Sequence, residues 1–463
     1  MKNRIAVLVI ALVLGTALAG CLPVKHQAAT PPPAPPAPAP TPPASAPTWT
    51  SPSLDGIVQS RPVVVGNVVV VATENDSLYG LRATDGSLLW GPTHFGTPEP
   101  LSEIRQFSGL AGCGDIDPLG VTSDLAVDNG TVFAVGEVET GASVPHVPAR
   151  KLVGVDPTNG HVTVGPSTVD VAGMTVPAAE QQRAGLAVAN GNVYIGYGGL
   201  AGDCGDYHGW LVAANEVTGN VVGSYAIATT AGNRAGAIWA PGGATVDGSG
   251  KVYVSTGNSF SYPASGTDYS DAVVKFGSNP GSGPIDYFQP SVWKADNDAD
   301  LDLGSMSPLL VSSGTQIFVI GKQHVAYLLN TNSLGGADHQ TPAAQLSMGT
   351  CAAFGANAVL GQSIFVACSS GVREVNLTGS PATLQAGWTA PVAAKGPVTV
   401  GGGIVWSVDR SAHILYGLSP GDGSVQFRGA LAAFDASQHF PQPVVAGSQV
   451  LVEDGAHVAA FPA

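Results

Sequence analysis

VVVVATENDSLYGLRATDGSLLW (68–90) joins a β-rich run to a second short strand, a Thr-Asp-Gly turn and a closing Trp. Weaker copies fill the rest of the chain. Aligned on the second strand and the Gly turn ahead of it, they are VGNVVVVA (65–72), DNGTVFAVG (128–136), ANGNVYIGY (189–197), GSGKVYVSTG (248–257), SGTQIFVIG (313–321), LGQSIFVAC (360–368), GGGIVWSVD (401–409) and AGSQVLVED (446–454). Most copies continue into a third strand. In several, a turn follows (ATDG 83–86, PTNG 157–160, EVTG 216–219, PGDG 420–423), and some fourth strands end in an aromatic: Trp90, Tyr225, Trp388 or Phe427. Four strands recurring at roughly 40–50 residues predict an all-β, eight-bladed β-propeller of antiparallel blades. The last copy stops at Phe461-Pro462-Ala463, before its fourth strand, while PTWTSPS (47–53) places Trp49 ahead of the first copy. Pairing the N- and C-terminal segments in one blade would close the ring and leave no free sheet edge.

Before the ring the chain reads as an address. Lys2 and Arg4 precede the apolar run Ile5–Leu14, and Leu18-Ala19-Gly20 leads into Cys21. That run is too short to span a bilayer and reads as a signal peptide over residues 1–20. Leu-Ala-Gly-Cys resembles the bacterial lipobox, which implies lipidation of Cys21. Residues 21–46 then form a Pro/Ala-rich tether that favours polyproline II, and 47–463 form the propeller. The expected location is the cell envelope, lipid-anchored and extracytoplasmic. Leu22 after the Cys fits outer-membrane sorting, with the protein on the periplasmic side where the cell has an outer membrane.

Only 11% of residues are charged and the net charge is −15, which argues against nucleic acid or an anionic membrane surface as partner. The membrane contact expected is the lipid anchor alone. Five Cys minus Cys21 leave an even set suited to an oxidising compartment. Blade geometry selects one of three pairings. Cys351 precedes the first strand of the sixth copy and Cys368 ends its second, so antiparallel pairing brings them to one end; Cys113 and Cys204 would join neighbouring blades. The absence of CxxC and CxxCH gives no zinc or c-type haem motif.

In a four-stranded meander, the links between blades and the loops between second and third strands emerge on one face. The long segments 91–119, 137–149, 198–207, 258–271 and 284–305 fall there, as do both expected disulfides. The other face carries mostly tight Gly turns. Long loops on a rigid scaffold are where binding concentrates.

These repeats resemble the PQQ-type, quinoprotein-dehydrogenase-like propeller superfamily over most of 50–463. Two branches matter. One comprises non-catalytic BamB-like lipoproteins, whose lipobox, tether and eight blades this chain shares. The other comprises quinoprotein alcohol dehydrogenases, which hold pyrroloquinoline quinone and calcium on the long-loop face. In that branch a Trp stacks beneath the quinone and an Asn in a Gly-Asn loop binds the metal; IWAPGGATVDGSGKVYVSTGNSF (238–260) offers Trp239 and Asn258. The Asp-rich motif containing the catalytic base is similar to YFQPSVWKADNDADLDLGS (287–305), with Asp296, Asp298, Asp300 and Asp302. GDCGDYHGW (202–210) offers Asp203 and Asp206 where the enzymes place a calcium-binding Glu, but His208 replaces their Arg. The adjacent-cysteine pair of the enzymes is absent, and the Trp-to-Asn spacing is one residue longer. His208, alone beside Trp210, reads as a structural, hydrogen-bonded residue. The expected function is therefore a membrane-anchored binding or assembly scaffold with protein partners and no resident cofactor. The alternative is a PQQ- and calcium-dependent dehydrogenase, with Trp239 for the quinone, Asn258 and Asp203 for the metal, and Asp300 or Asp302 for catalysis.

Overall fold

The computed structural model describes residues 42–463 apart from Ala231; Cys21, the signal segment and most of the tether lie outside the described residues. Eight sheets form a propeller, and in seven of them the four blade strands run in sequence order. In blade 1 these are Val63–Val65, Val68–Thr73, Ser77–Arg82 and Leu88–His94, all antiparallel neighbours. Seven blades follow this plan, and blade 3 gains a short extra pairing from Glu180–Gln181.

Burial explains why the second and third strands carried the repeat signal. Val68–Thr73 and Ser77–Arg82 are buried along almost their whole length, whereas Leu88–His94 is largely exposed. A strand covered on both faces reads as a continuous apolar run. The core accordingly sits between blades. Val70, Ala72 and Leu78 of blade 1 pack on Val132, Ala134 and Val153 of blade 2, and Phe318 and Leu328 of blade 5 pack on Ile364 and Val366 of blade 6.

Ring closure is as expected. Trp49–Thr50 pairs antiparallel with His457–Pro462, in the register Trp49↔Ala460, and so supplies the outermost strand of blade 8. Contact with the ring begins earlier than position 47: Ser45 pairs with Gly429, and the Arg428 guanidinium donates to the Pro42 carbonyl. The closing strand also grips the next blade. A Cβ at Gly86 would fall inside the Trp49 ring. The same holds for Gly160 against Trp90 and Gly423 against Trp388, and the two indole N–H groups donate to the carbonyls of Pro157 (2.7 Å) and Pro420 (2.9 Å). Trp from one blade's outer strand thus seats on the Gly turn of the next blade, at a positive-φ position where only Gly leaves room.

One expected loop is mostly sheet. Residues 137–149 extend blade 2 into a tall hairpin, Thr131–Thr140 with Val147–Val155, leaving only 141–146 as loop. The segment at 97–99 runs beside it through Glu99 N–H to Glu137 O (3.1 Å) and Glu139 N–H to Thr97 O (2.9 Å). That extra pairing satisfies backbone groups in a stretch expected to be loop. The segment 284–305 likewise opens with strand Pro284–Phe288 and holds the helix Trp293–Asp298. Both expected disulfides are present, Cys113–Cys204 and Cys351–Cys368.

Candidate functional site

The links between blades and the loops after second strands converge near the ring axis on a cavity of about 360 Å³. Trp239 comes from the link before blade 4, whose first strand is Thr245–Val246. Asn258 follows the second strand of blade 4, Val252–Ser255, through Gly257. Asp300 and Asp302 come from the link to blade 5, and Asp203 from the loop after the second strand of blade 3. All five line the one cavity. The Cys113–Cys204 bridge fastens its rim, because Asp115, Gly202 and Asp203 line it within two residues of those cysteines.

The rest of the predicted set lies elsewhere. Asp296 and Asp298 sit in the short helix, where Asp298 accepts from the Tyr262 hydroxyl. Asp206 is exposed and does not line the cavity. His208 is structural: its N–H donates to Glu180 (3.2 Å) and its ring Nδ1 lies 3.1 Å from the Ile227 carbonyl. Trp210 is core.

Cationic and aromatic partners join the five. Lys322 Nζ bridges Asp300 Oδ1 at 2.6 Å and Asp302 Oδ2 at 2.8 Å, and lies 5.7 Å from the Trp239 ring centroid. Burial works against the ammonium, but Asp302 and Asp300 outweigh it, and its pKa is pushed up to about 12. Asp302 has a side chain only 1% exposed; burial raises its pKa, although Lys322 pulls the other way. Its Oδ1 has no hydrogen-bond partner. Arg183 donates to the Thr122 carbonyl, lies 5.3 Å from the Phe440 ring and leaves Nη2 unpaired and buried, so desolvation lowers its pKa. His439 Nε2 meets Asp115 Oδ2 at 3.0 Å.

Sequence reading missed Gln181, Arg183, Lys322, His439 and Phe440. A signal for one of them existed. Gly321-Lys322 follows the second strand of blade 5 as Gly257-Asn258 follows that of blade 4, so carrying the repeat register one blade forward points to Lys322. Arg183 and Phe440 lie in links with no shared motif.

The family model for the outer membrane protein assembly factor BamB matches residues 43–276. The chain belongs to this BamB family of PQQ-like propellers. Among solved structures, this BamB-family chain is similar to BamB from Moraxella catarrhalis, at 11% identity and a TM-score of 0.55, covering 90% of this chain and 97% of that one. It is similar also to a quinohemoprotein alcohol dehydrogenase from Pseudomonas putida, at 14% identity and 0.62 over 90% and 76% of the two chains. A europium-containing methanol dehydrogenase gives 14% and 0.59 over 88% and 85%. At these identities the likeness is one of fold. No curated protein matches the chain.

The cavity can be tested against the quinone and metal of the second branch. Pyrroloquinoline quinone is flat and carries carboxylates, and Trp239, Phe440, the unpaired Arg183 guanidinium and Lys322 suit such a ligand. The metal half fits less well. Of the two metal candidates, Asn258 and Asp203, Asp203 Oδ1 already accepts from the Tyr207 hydroxyl at 2.5 Å, and the neighbouring carboxylates of Asp300 and Asp302 are taken up by Lys322. Calcium takes six or more oxygens, and Asn258 with Asp203 supplies only part of that set.

Proposed function

We propose that this BamB-family chain is an extracytoplasmic binding or assembly scaffold, anchored through lipidated Cys21 and presenting its long-loop face to a protein partner. The observation that carries this reading is Lys322. It bridges Asp300 and Asp302, so both candidate catalytic carboxylates of the dehydrogenase alternative are already paired with a cationic side chain of the protein itself. The long links, the tall blade 2 hairpin and both disulfides then serve to hold a contoured surface rigid. The family, together with the Leu-Ala-Gly-Cys sequence, supports an envelope location.

A second reading has its own support, namely the convergence of Trp239, Asn258, Asp203, Asp300 and Asp302 on one cavity. In a quinone-dependent dehydrogenase, Trp239 would lie against the ring, Arg183 and Lys322 would hold its carboxylates, and Asp302 or Asp300 would take the proton of an alcohol. The raised pKa of Asp302 suits a proton acceptor. The chemistry supplied by a bound quinone is acceptance of the two electrons of alcohol oxidation.

Calorimetry on the metal-free protein with calcium and pyrroloquinoline quinone separates the readings. The scaffold reading expects no heat. Saturable binding lost in both Trp239→Ala and Asn258→Ala would overturn it in favour of the dehydrogenase. Mass spectrometry of the native protein should find a chain starting at diacylated or triacylated Cys21, and Cys21→Ser should release it from membranes; a soluble form cleaved elsewhere would remove the anchor from the proposal.

A further inference from the structure

A second cluster of ligand-type side chains lies away from the axial cavity, where the link from blade 1 meets the blade 2 hairpin. Glu139 stands near the top of strand Thr131–Thr140, and His146 ends the loop that returns to Val147–Val155. Glu103 belongs to the single helical turn Leu101–Ile104 of the link. One ligand atom from each of these three lies within 4.8 Å of the others, and among the described residues no other set of three His, Cys, Asp or Glu does this. His146 Nδ1 is 2.9 Å from Glu103 Oε2 and 3.7 Å from Glu139 Oε1. Ligand atoms around a tetrahedral ion with bonds near 2 Å lie about 3.3 Å apart, so these separations bracket what an ion needs.

An independent feature points into the same place. Glu99 is fully buried, and neither of its carboxylate oxygens has a hydrogen-bond partner. The bridge Pro98↔Val138 sets Glu99 opposite Glu137 and Thr97 opposite Glu139, so both hairpin glutamates share its face of the pairing. Burial, then repulsion from Glu103, Glu139 and Glu137, push its pKa up to about 8. Nearby cationic charge is already spent. Arg150 Nε binds Asp170 at 2.8 Å, its Nη1 lies 3.8 Å from Glu137 and donates to the Pro177 carbonyl at 2.8 Å. That leaves Glu103 with the backbone N–H (2.7 Å) and imidazole of His146, Glu139 with the same imidazole, and Glu99 with no hydrogen-bond partner. As an anion, a buried, unpaired carboxylate backing two more is costly; it is relieved either by keeping a proton or by a cation that completes the group.

We propose that Glu103, Glu139 and His146, backed by the buried carboxylate of Glu99, form a site for one divalent transition-metal ion of the Zn²⁺ class. The donor set selects the class. One imidazole nitrogen among carboxylates suits Zn²⁺ and its first-row neighbours, whereas Ca²⁺ takes oxygen ligands throughout. The ion would tie the link carrying Leu101–Ile104 to the hairpin that rises beside it, fixing one wall of the long-loop face. It is independent of the axial cavity and of either reading given for it.

Full-length protein stripped with a chelator and titrated with Zn²⁺ should take up one equivalent at this place and gain melting temperature in proportion to the excess of free ion. His146→Ala and Glu139→Gln should each weaken that equivalent at least about tenfold. Asp300→Asn, in the axial cavity, should leave it unchanged. Melting temperatures of the metal-free variants guard against a folding defect: His146→Ala should match the metal-free native protein yet lose the increment on adding Zn²⁺. A native protein with no saturable Zn²⁺ equivalent would overturn the site, leaving a plain Glu103–His146 ion pair. An equivalent retained at full affinity in both variants would overturn it equally, by placing the ion elsewhere.

Discussion

The two faces of the ring use the same residue type in opposite ways. On the tight-turn face, Asp85, Asp156 and Asp422 accept from the N–H and hydroxyl of Ser87, Thr158 and Ser424, and these hydrogen bonds lower their pKa values. Every such carboxylate is satisfied within its own turn. On the long-loop face, Asp76, Asp271 and Glu453 are buried and held well above the carboxylate range by desolvation, and Glu74 and Glu180 are pushed up to about 7 and about 8. Several of these oxygens have no partner at all. One face closes local hydrogen-bond accounts and builds the ring; the other keeps buried acids that desolvation holds toward their protonated form, which a fold tolerates chiefly where ligands or partners act.

The sharpest way to break this division is to open the ring. Trp49–Thr50 completes blade 8, and Trp49 lies among Leu54, Val58, Val69 and Leu451 at the junction of blades 8 and 1. Deleting 47–53 should expose an unpaired edge and produce aggregation or loss of the cooperative melt. Deleting 31–41, which stops short of the contacts at Pro42 and Ser45, should leave the melting temperature almost unchanged. Equal behaviour of the two truncations, read by calorimetry and light scattering, would contradict closure by the termini.

A smaller effect separates the faces at single glycines. Gly160 and Gly266 both adopt positive φ, at 72° and 79°, but a Cβ on Gly160 meets the Trp90 ring while one on Gly266 meets nothing. Gly266→Ala should cost only the left-handed strain, about 1 kcal/mol. Gly160→Ala adds overpacking against an indole and should cost about 4 kcal/mol. Denaturant titration of both variants measures the gap. If the two costs were the same, Trp seating would contribute little to joining the blades.

That contrast also explains what could be read in the sequence. The buried strands and the Gly turns repeat because each blade faces the same packing problem, so the eight blades, the termini sharing one blade and both disulfides were legible. The axial cavity was legible where a motif ran locally, at Trp239 and Asn258 and at Asp300 and Asp302. It was not legible at Arg183, Lys322 or Phe440, which come from different blades and meet only after closure. Within the Asp run, the helix Trp293–Asp298 removes Asp296 and Asp298 from the cavity and leaves Asp300 and Asp302, the two singled out as catalytic candidates, lining it. The hairpin holding Glu139 and His146 was hidden for a related reason: its extra pairing partner, 97–99, lies one blade back in the chain.

The smallest effect concerns pH, and it tests whether burying acids on the long-loop face carries a cost. Glu74 follows the second strand of blade 1, where burial raises its pKa from 4.5 to about 7, against the pull of hydrogen bonds from Gln59 Nε2 at 3.2 Å and Ile57 N–H at 3.4 Å. In this window the folded protein keeps a proton that the unfolded chain has released. Stability therefore falls as pH rises from about 4.5 to about 7, because the unfolded state binds fewer protons there. Glu74→Gln removes the titration while keeping a side chain able to meet Gln59. The variant should flatten this part of the pH profile, by about 2 °C of melting temperature once solvent screening is allowed for. The lowered carboxylate of Asp422, on the turn face, gives the opposite sign: its contribution is present above the unfolded pKa and is lost as pH falls through the folded one. Asp422→Asn should therefore change the profile only at the acid end. Matching profiles for the two variants would mean that the faces do not differ in how they hold their acids.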